Sequence, residues 1–124
     1  MNIYKYVLRG ETPAKKNNRI TLKNGKTIPS QKYREWHENA LIQLLTQTKP
    51  QEPIQCPVKI SFNFTHGDKR RRDSDNGTSS ILDLLQDVQI LHDDNWEIVR
   101  EIEIKNGYCK NAPSVEVTIQ KIAV

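Results

Sequence analysis

Two aspartates stand two residues apart in Arg72-Asp73-Ser74-Asp75-Asn76, directly behind the cationic run Lys69-Arg70-Arg71-Arg72. In an extended segment, residues i and i+2 point to the same side. Read that way, the carboxylates of Asp73 and Asp75 can share one divalent cation. Asn76 is expected to cap a helix running to about Asp87. The positive end of its dipole favours negative charge just before it, and its free N–H groups can hold a phosphate. Asp93-Asp94 supply two more carboxylates downstream. A helix from Asn76 to Asp87 is about 18 Å long at 1.5 Å per residue. The steps from Asp87 to Asp94 span roughly 23 Å when extended. Asp94 can therefore just return to Asp73, provided Val88–Leu91 runs back alongside the helix. Hard oxygen ligands in small number suit Mg²⁺, with Mn²⁺ as a substitute. Plainer readings stand beside this one. Asp75 can be a helix cap, Asp93-Asp94-Asn95 an ordinary turn, and Asp83 with Asp87 a solvated helix face. His37 and His66 have no ligand-spaced partner, and His92 only neighbours the aspartate pair.

The charge is divided along the chain. Residues 1–72 carry a net +10 and residues 73–124 a net −6, within a total of +4 over 124 residues. Thr12–Arg34 holds seven basic residues and no acidic one. Such runs are candidate polyanion sites. The DNA-contacting candidates are Lys15, Lys16, Arg19, Lys69, Arg70 and Arg71, although a lysine-rich loop can also be no more than a solvated surface. Phosphate contacts from these residues make binding strongly salt-dependent. Apolar runs such as Ala40-Leu41-Ile42 fall far below the roughly 18 residues of a membrane span. Lys5 and Arg9 interrupt the first apolar stretch, so no signal peptide is expected. Cys56 and Cys109 make neither a disulfide framework nor a zinc site. The expected compartment is the cytoplasm, a reducing one. No Gly-rich loop with Gly-Lys-Ser/Thr is present, which argues against a phosphoryl transferase.

The elements that must position these residues follow from periodicity. Ile3–Leu8 reads as a strand, and the basic loop and hairpin occupy 10–29, with a type I′ turn expected at Asn24-Gly25. Ser30 is placed to cap a helix to about Gln47, with Tyr33, Trp36, Ala40, Leu41 and Leu44 on one face. Lys49–Pro57 carries three prolines and is a connector. Val58, Ile60, Phe62 and Phe64 alternate with polar residues in a strand. The second helix turns Ile81, Leu84, Leu85 and Val88 inward. Ile98, Ile102 and Ile104 mark another strand, with a turn expected to begin at Asn106-Gly107. Val115, Val117 and Ile119 mark the last. The order predicts one α+β domain over 1–124. It comprises a mixed sheet of about four strands with two helices packed on one face, and the segment 69–94 carries the metal site.

At Arg70-Arg71-Arg72-Asp73-Ser74-Asp75-Asn76, Asp83-Leu84-Leu85 and Asp93-Asp94, the chain resembles the RusA family of Holliday-junction resolvases. Pro13, Asn17-Asn18-Arg19, Asn24-Gly25, Ser30 and Tyr33-Arg34 extend the resemblance over nearly the whole chain. It implies a RusA-like fold and a small homodimeric, Mg²⁺-dependent endonuclease that resolves four-way DNA junctions by paired nicks in recombination and repair. Such enzymes are often encoded by phages or prophages. The resemblance assigns Asp73, Asp75 and Asp94 as catalytic metal ligands and Arg72 as a catalytic cation. One departure stands out. Where the family typically has a lysine in the first turn of the second helix, this chain has Ser79, and Arg72 or Lys69 is the expected substitute. The competing expectation is a non-catalytic or weakly catalytic protein that binds branched DNA.

Overall fold

The computed structural model describes residues 2–122. Strand β1 (Ile3–Arg9) buries Tyr4, Tyr6 and Leu8 and exposes the residues between them, the alternation of a sheet with one covered face. The polar segment after it forms one 3₁₀ turn at Lys15–Asn17. Strands β2 (Arg19–Thr21) and β3 (Thr27–Pro29) then make a small antiparallel hairpin that stands in solvent. Its turn differs from the expected one. Leu22 N–H donates to Lys26 O at 2.8 Å and Gly25 N–H to Leu22 O at 2.9 Å. Gly25 alone takes a positive φ, of 85°. This is a three-residue loop with glycine in the left-handed position, whereas a type I′ turn needs positive φ at Asn24 as well.

Helix α1 (Gln31–Leu45) begins where Ser30 Oγ accepts from Tyr33 N–H at 3.2 Å. It buries Tyr33, Ala40 and Leu44, with Trp36 and Leu41 packed against the same core. Strand β4 (Val58–His66) buries Val58, Ile60, Phe62 and Phe64. Helix α2 (Thr78–Asp87) buries Ile81, Leu84 and Leu85. Strands β5 (Val99–Tyr108) and β6 (Ser114–Lys121) complete the sheet in the order β1-β6-β4-β5. β4 lies parallel to β5 and antiparallel to β6, so α2 is the crossover of a β–α–β unit inside a mixed sheet. Both helices contribute to one apolar cluster with the inner faces of all four strands, as the periodicity predicts.

Two boundaries move. Gly77, not Asn76, precedes α2, with no side-chain cap. Residues Asp73 to Gly77 coil in successive turns instead. Asn76 N–H donates to Asp73 O at 3.1 Å, and Thr78 N–H to Asp75 O at 3.2 Å. A Cβ on Gly77 would lie 2.8 Å from Thr12 Cγ2 and 3.0 Å from Phe64 Cε1, so this entry to the helix is packed too closely for any larger residue. The turn expected at Asn106-Gly107 falls inside β5, because pairing with β4 continues through His66 opposite Tyr108. The chain turns instead over Cys109–Ala112, with Asn111 at φ 59°.

Candidate active site

A hydrogen-bonded hub at the end of β4 holds the acidic loop. Phe62, Phe64 and His66 stack along the inner face of β4, with ring centroids 5.9 and 6.3 Å apart and planes within 10°. This ladder fixes the His66 ring. Its Nδ1 meets Glu11 Oε2 at 2.8 Å and its Nε2 meets Asn106 Oδ1 at 2.8 Å. Both facing atoms are acceptors, so the ring nitrogen that carries the hydrogen donates. Asn106 Nδ2 in turn donates to Ser74 O at 3.0 Å, between the two aspartates. Glu11 Oε1 also lies 3.4 Å from Arg72 Nη2, and Arg72 Nη1 lies 2.9 Å from Asp68 Oδ1. The Arg72 guanidinium, followed by the Arg70 N–H, holds the Asp68 carboxyl below the usual carboxylate range. Asp73 is thus anchored on both sides, through Arg72 before it and the Ser74 carbonyl after it.

Arg72 therefore has a different place from the one expected. Its side chain is only 13% exposed and is shared between two carboxylates, so its first role is to pin the loop. Glu11, His66 and Asn106 were not candidates in the sequence. No spacing links them, since Glu11 and Asn106 lie 55 and 40 residues from His66 and meet it only through the sheet order β1-β6-β4-β5.

The carboxylates themselves are arranged otherwise than an extended segment would place them. The turns at Asp73–Gly77 set Asp73 in a depression of about 270 Å³ with Lys69, Arg70, Asn106 and Tyr108. Asp75 lines a separate one of about 230 Å³, with Lys16 and Ser79. Both are exposed, and neither carboxylate makes an ion pair or hydrogen bond among the described residues. Asp94 is elsewhere. After α2 the chain turns at Gln89, with φ 62°. It then buries Ile90 and Leu91 and ties His92 N–H to Ile54 O at 3.0 Å, so Val88–Leu91 does not return along the helix. Asn95 O accepts from Val99 N–H at 2.9 Å, which places Asp94 beside the start of β5. Ser74 is held by Asn106, seven residues farther along that strand, or about 23 Å at 3.3 Å per residue. The Asp94 N–H, followed by the Asn95 amide, holds the Asp93 carboxyl below its ordinary range, as in a self-contained turn. Among the described residues, no three acidic, histidine or cysteine side chains form a group able to hold a metal. The donors are chemically right for a hard cation, but one chain does not gather them.

The cations divide as well. Lys15 pairs with Asp83, which raises its pKa and occupies the charge. Lys69 Nζ sits 5.0 Å above the Tyr108 ring. Lys16, Arg19, Arg70 and Arg71 make no ion pair among the described residues. The cation beside Ser79 is Lys16, in place of the Arg72 or Lys69 expected there.

Unpaired acidic groups flanked by unpaired cations form a surface that can meet a phosphodiester backbone and a small cation at one place. The family model described as Endodeoxyribonuclease RusA matches residues 10–120, which is most of the chain and includes every residue of this site. The chain belongs to the RusA endodeoxyribonuclease family, whose activity is hydrolysis within DNA strands at branched junctions. Compared sequence against sequence, no curated protein matches it. Among the described residues, no helix is long and apolar enough to cross a membrane.

Proposed function

We propose that this protein is a structure-selective endonuclease that resolves four-way DNA junctions by paired, symmetric nicks, depends on Mg²⁺ or Mn²⁺, works as a homodimer and acts in the cytoplasm. The observation that carries the reading is the Asp73–Asp75 loop. It offers carboxylates with no partner among the described residues, is clamped by Arg72 and Asn106, and is bordered by Lys16 and Arg70, which make no ion pair among those residues.

The chain's own groups divide the work. Lys16, Arg19, Arg70 and Arg71 neutralise phosphates and set the register of the strand. Lys16, next to Asp75 and Ser79, supports the charge that grows on the scissile phosphate, the task the missing lysine leaves open. Arg72 holds Asp73 in place. A divalent ion at such a site supplies an activated water and charge neutralisation. Two copies related by a two-fold axis match the pseudo-symmetry of a four-way junction.

Incubation with a synthetic immobile junction and a matched duplex, with and without Mg²⁺, tests the reading. The expected result is opposed nicks in the junction only, and only with Mg²⁺. Tight junction binding without nicks under any metal would replace it with a branched-DNA-binding protein. The separate depressions of Asp73 and Asp75, together with Ser79, favour that second reading.

A further inference from the structure

We infer that Tyr108 is the residue by which this protein senses a branch in DNA. Its ring caps the exposed face of a nucleobase at the branch point, and Lys69, which lies over that ring in the free protein, passes to the adjoining phosphate. The inference rests on the structure-selective reading above and names what would tell a branched substrate from plain duplex.

Tyr108 ends β5 and lies opposite His66, as Ile104 lies opposite Phe62 and Asn106 opposite Phe64. Residues two apart on a strand share a face, so Tyr108 continues the face that buries the core. Phe62 and Phe64 on that face are buried, yet Tyr108 is 48% exposed. A large ring thus stands at the end of the core face with half its surface open among the described residues. Its surroundings are cationic. It shares the depression of about 270 Å³ with Asp73, Lys69 and Arg70. Lys69 Nζ lies 5.0 Å from the ring centroid, and neither Lys69 nor Arg70 makes an ion pair among the described residues. The neighbouring Gly107 leaves the approach bare, since a Cβ there would meet only Phe64 O, at 3.9 Å. An open aromatic face beside two unpaired cations matches a nucleotide, which joins a flat base to an anion. An apolar protein surface would meet an ammonium group instead.

Magnitudes decide which DNA can use the ring. A lysine over an exposed ring gains a factor of about two to five, whereas a base stacked on it gains a factor of about five to a hundred. A released Lys69 is also free to neutralise the next phosphate. Exchange of ammonium for base is therefore favourable wherever a base face is accessible. Inside a duplex every base is stacked between neighbours, and reaching its face costs unstacking that offsets the gain. At a branch the stack is already interrupted. The same ring therefore rewards a branch and ignores a continuous helix.

The test is run in EDTA, so that it reads binding whether or not the protein cuts. Affinities for a four-way junction and a matched duplex are measured by mobility shift. The ratio of the two should fall about tenfold in Tyr108→Ala and stay within about twofold of wild type in Tyr108→Phe, which keeps the stacking face. Lys69→Gln should lower the salt slope of junction binding by about one; an unchanged slope refutes the transfer to phosphate. In the wild type, 5-iodouracil placed at the branch point and irradiated should crosslink to Tyr108, as located by mass spectrometry. That measurement needs no variant, so it decides the matter even where Tyr108→Ala does not fold. Crosslinks that map only elsewhere, or a ratio unchanged in folded Tyr108→Ala, overturn the inference. Altered sedimentation of Tyr108→Ala with no crosslink in the wild type makes the ring a contact between copies, and overturns it too. A wild type with no preference for the junction defeats the structure-selective reading and the role of Tyr108 with it. A preference that survives Tyr108→Ala defeats that role alone.

Discussion

Replacing Asn106 by alanine removes two bonds, the one from its amide to Ser74 O and the one it accepts from His66. Neutral hydrogen bonds contribute about 1 kcal/mol each, and less where water takes over. Asn106 and Ser74 are both exposed, so the tie on the acidic loop is worth about 1 kcal/mol in all. At 1.4 kcal/mol per factor of ten, about fivefold fewer molecules would hold Asp73 and Asp75 as the wild type does. Single-turnover cleavage of a junction should slow by about fivefold, because the loss falls on the arrangement of the cutting groups. Junction affinity in EDTA, measured by mobility shift, should stay the same, since Asn106 carries no charge. Asn106→Asp keeps the acceptor for His66 but turns an anion toward the Ser74 carbonyl, and should slow cleavage further than alanine does. A cleavage rate within twofold of wild type, or an equal loss of affinity, would refute the positioning role.

Gly77→Ala forces a methyl against Thr12 and Phe64 and should destabilise the fold by about 1–3 kcal/mol, read as a drop of several degrees in Tm. An unchanged Tm would mean that the loop before α2 yields freely. Tyr6 is buried with a hydroxyl that has no partner among the described residues, and burial, with Tyr4 nearby, pushes its pKa up to about 12. A phenol whose folded pKa exceeds the unfolded value of 10.0 stabilises the protein fully below pH 10, and that contribution is lost as pH rises toward 12. Tyr6→Phe should therefore be as stable as wild type at pH 7 and more resistant to unfolding between pH 10 and 12, as thermal melts across that range will show. Asp83→Asn releases Lys15 at a cost of under about 1 kcal/mol in stability, because the pair is partly exposed. It should tighten DNA binding and steepen the salt dependence by about one phosphate's worth, whereas an unchanged slope would place Lys15 away from DNA.

The fold was legible wherever period alone decides. β4 alternates Val58, Ile60, Phe62 and Phe64 with polar residues, and α1 repeats its apolar face behind Ser30, so both were placed within two residues. Boundaries set by distant contacts were not legible. Asn106-Gly107 carries a turn signal, yet its neighbours are paired with β4, and tertiary pairing outweighs a local preference. The same holds for Asn76, displaced as a cap because Gly77 is wedged against Thr12 and Phe64. Of the site, the acidic pair and the basic run were readable as chemistry, but their geometry was not. Local turns separate Asp73 from Asp75, and the parallel crossover carries Asp94 to the far end of the sheet. Glu11 and His66 carry no motif at all. A histidine ending a strand whose inward residues are Phe62 and Phe64 was the one available hint, since the next inward position after Phe64 is His66.

The strand order has a consequence for how the chain acquires its shape during synthesis. β6 is made after the five other strands named above, yet it lies between β1 and β4 and, among the described residues, is the one strand paired with β1. Until residues 114–121 leave the ribosome, β1 has nothing to pair with and one side of β4 stays bare. The β4–α2–β5 unit can form early, but the first strand must wait for more than a hundred residues to follow it, so closure of the sheet is a late, long-range event. A nascent chain stalled before Ser114 would expose Tyr4, Tyr6 and Leu8 together, and would be a substrate for chaperones before it was ever an enzyme.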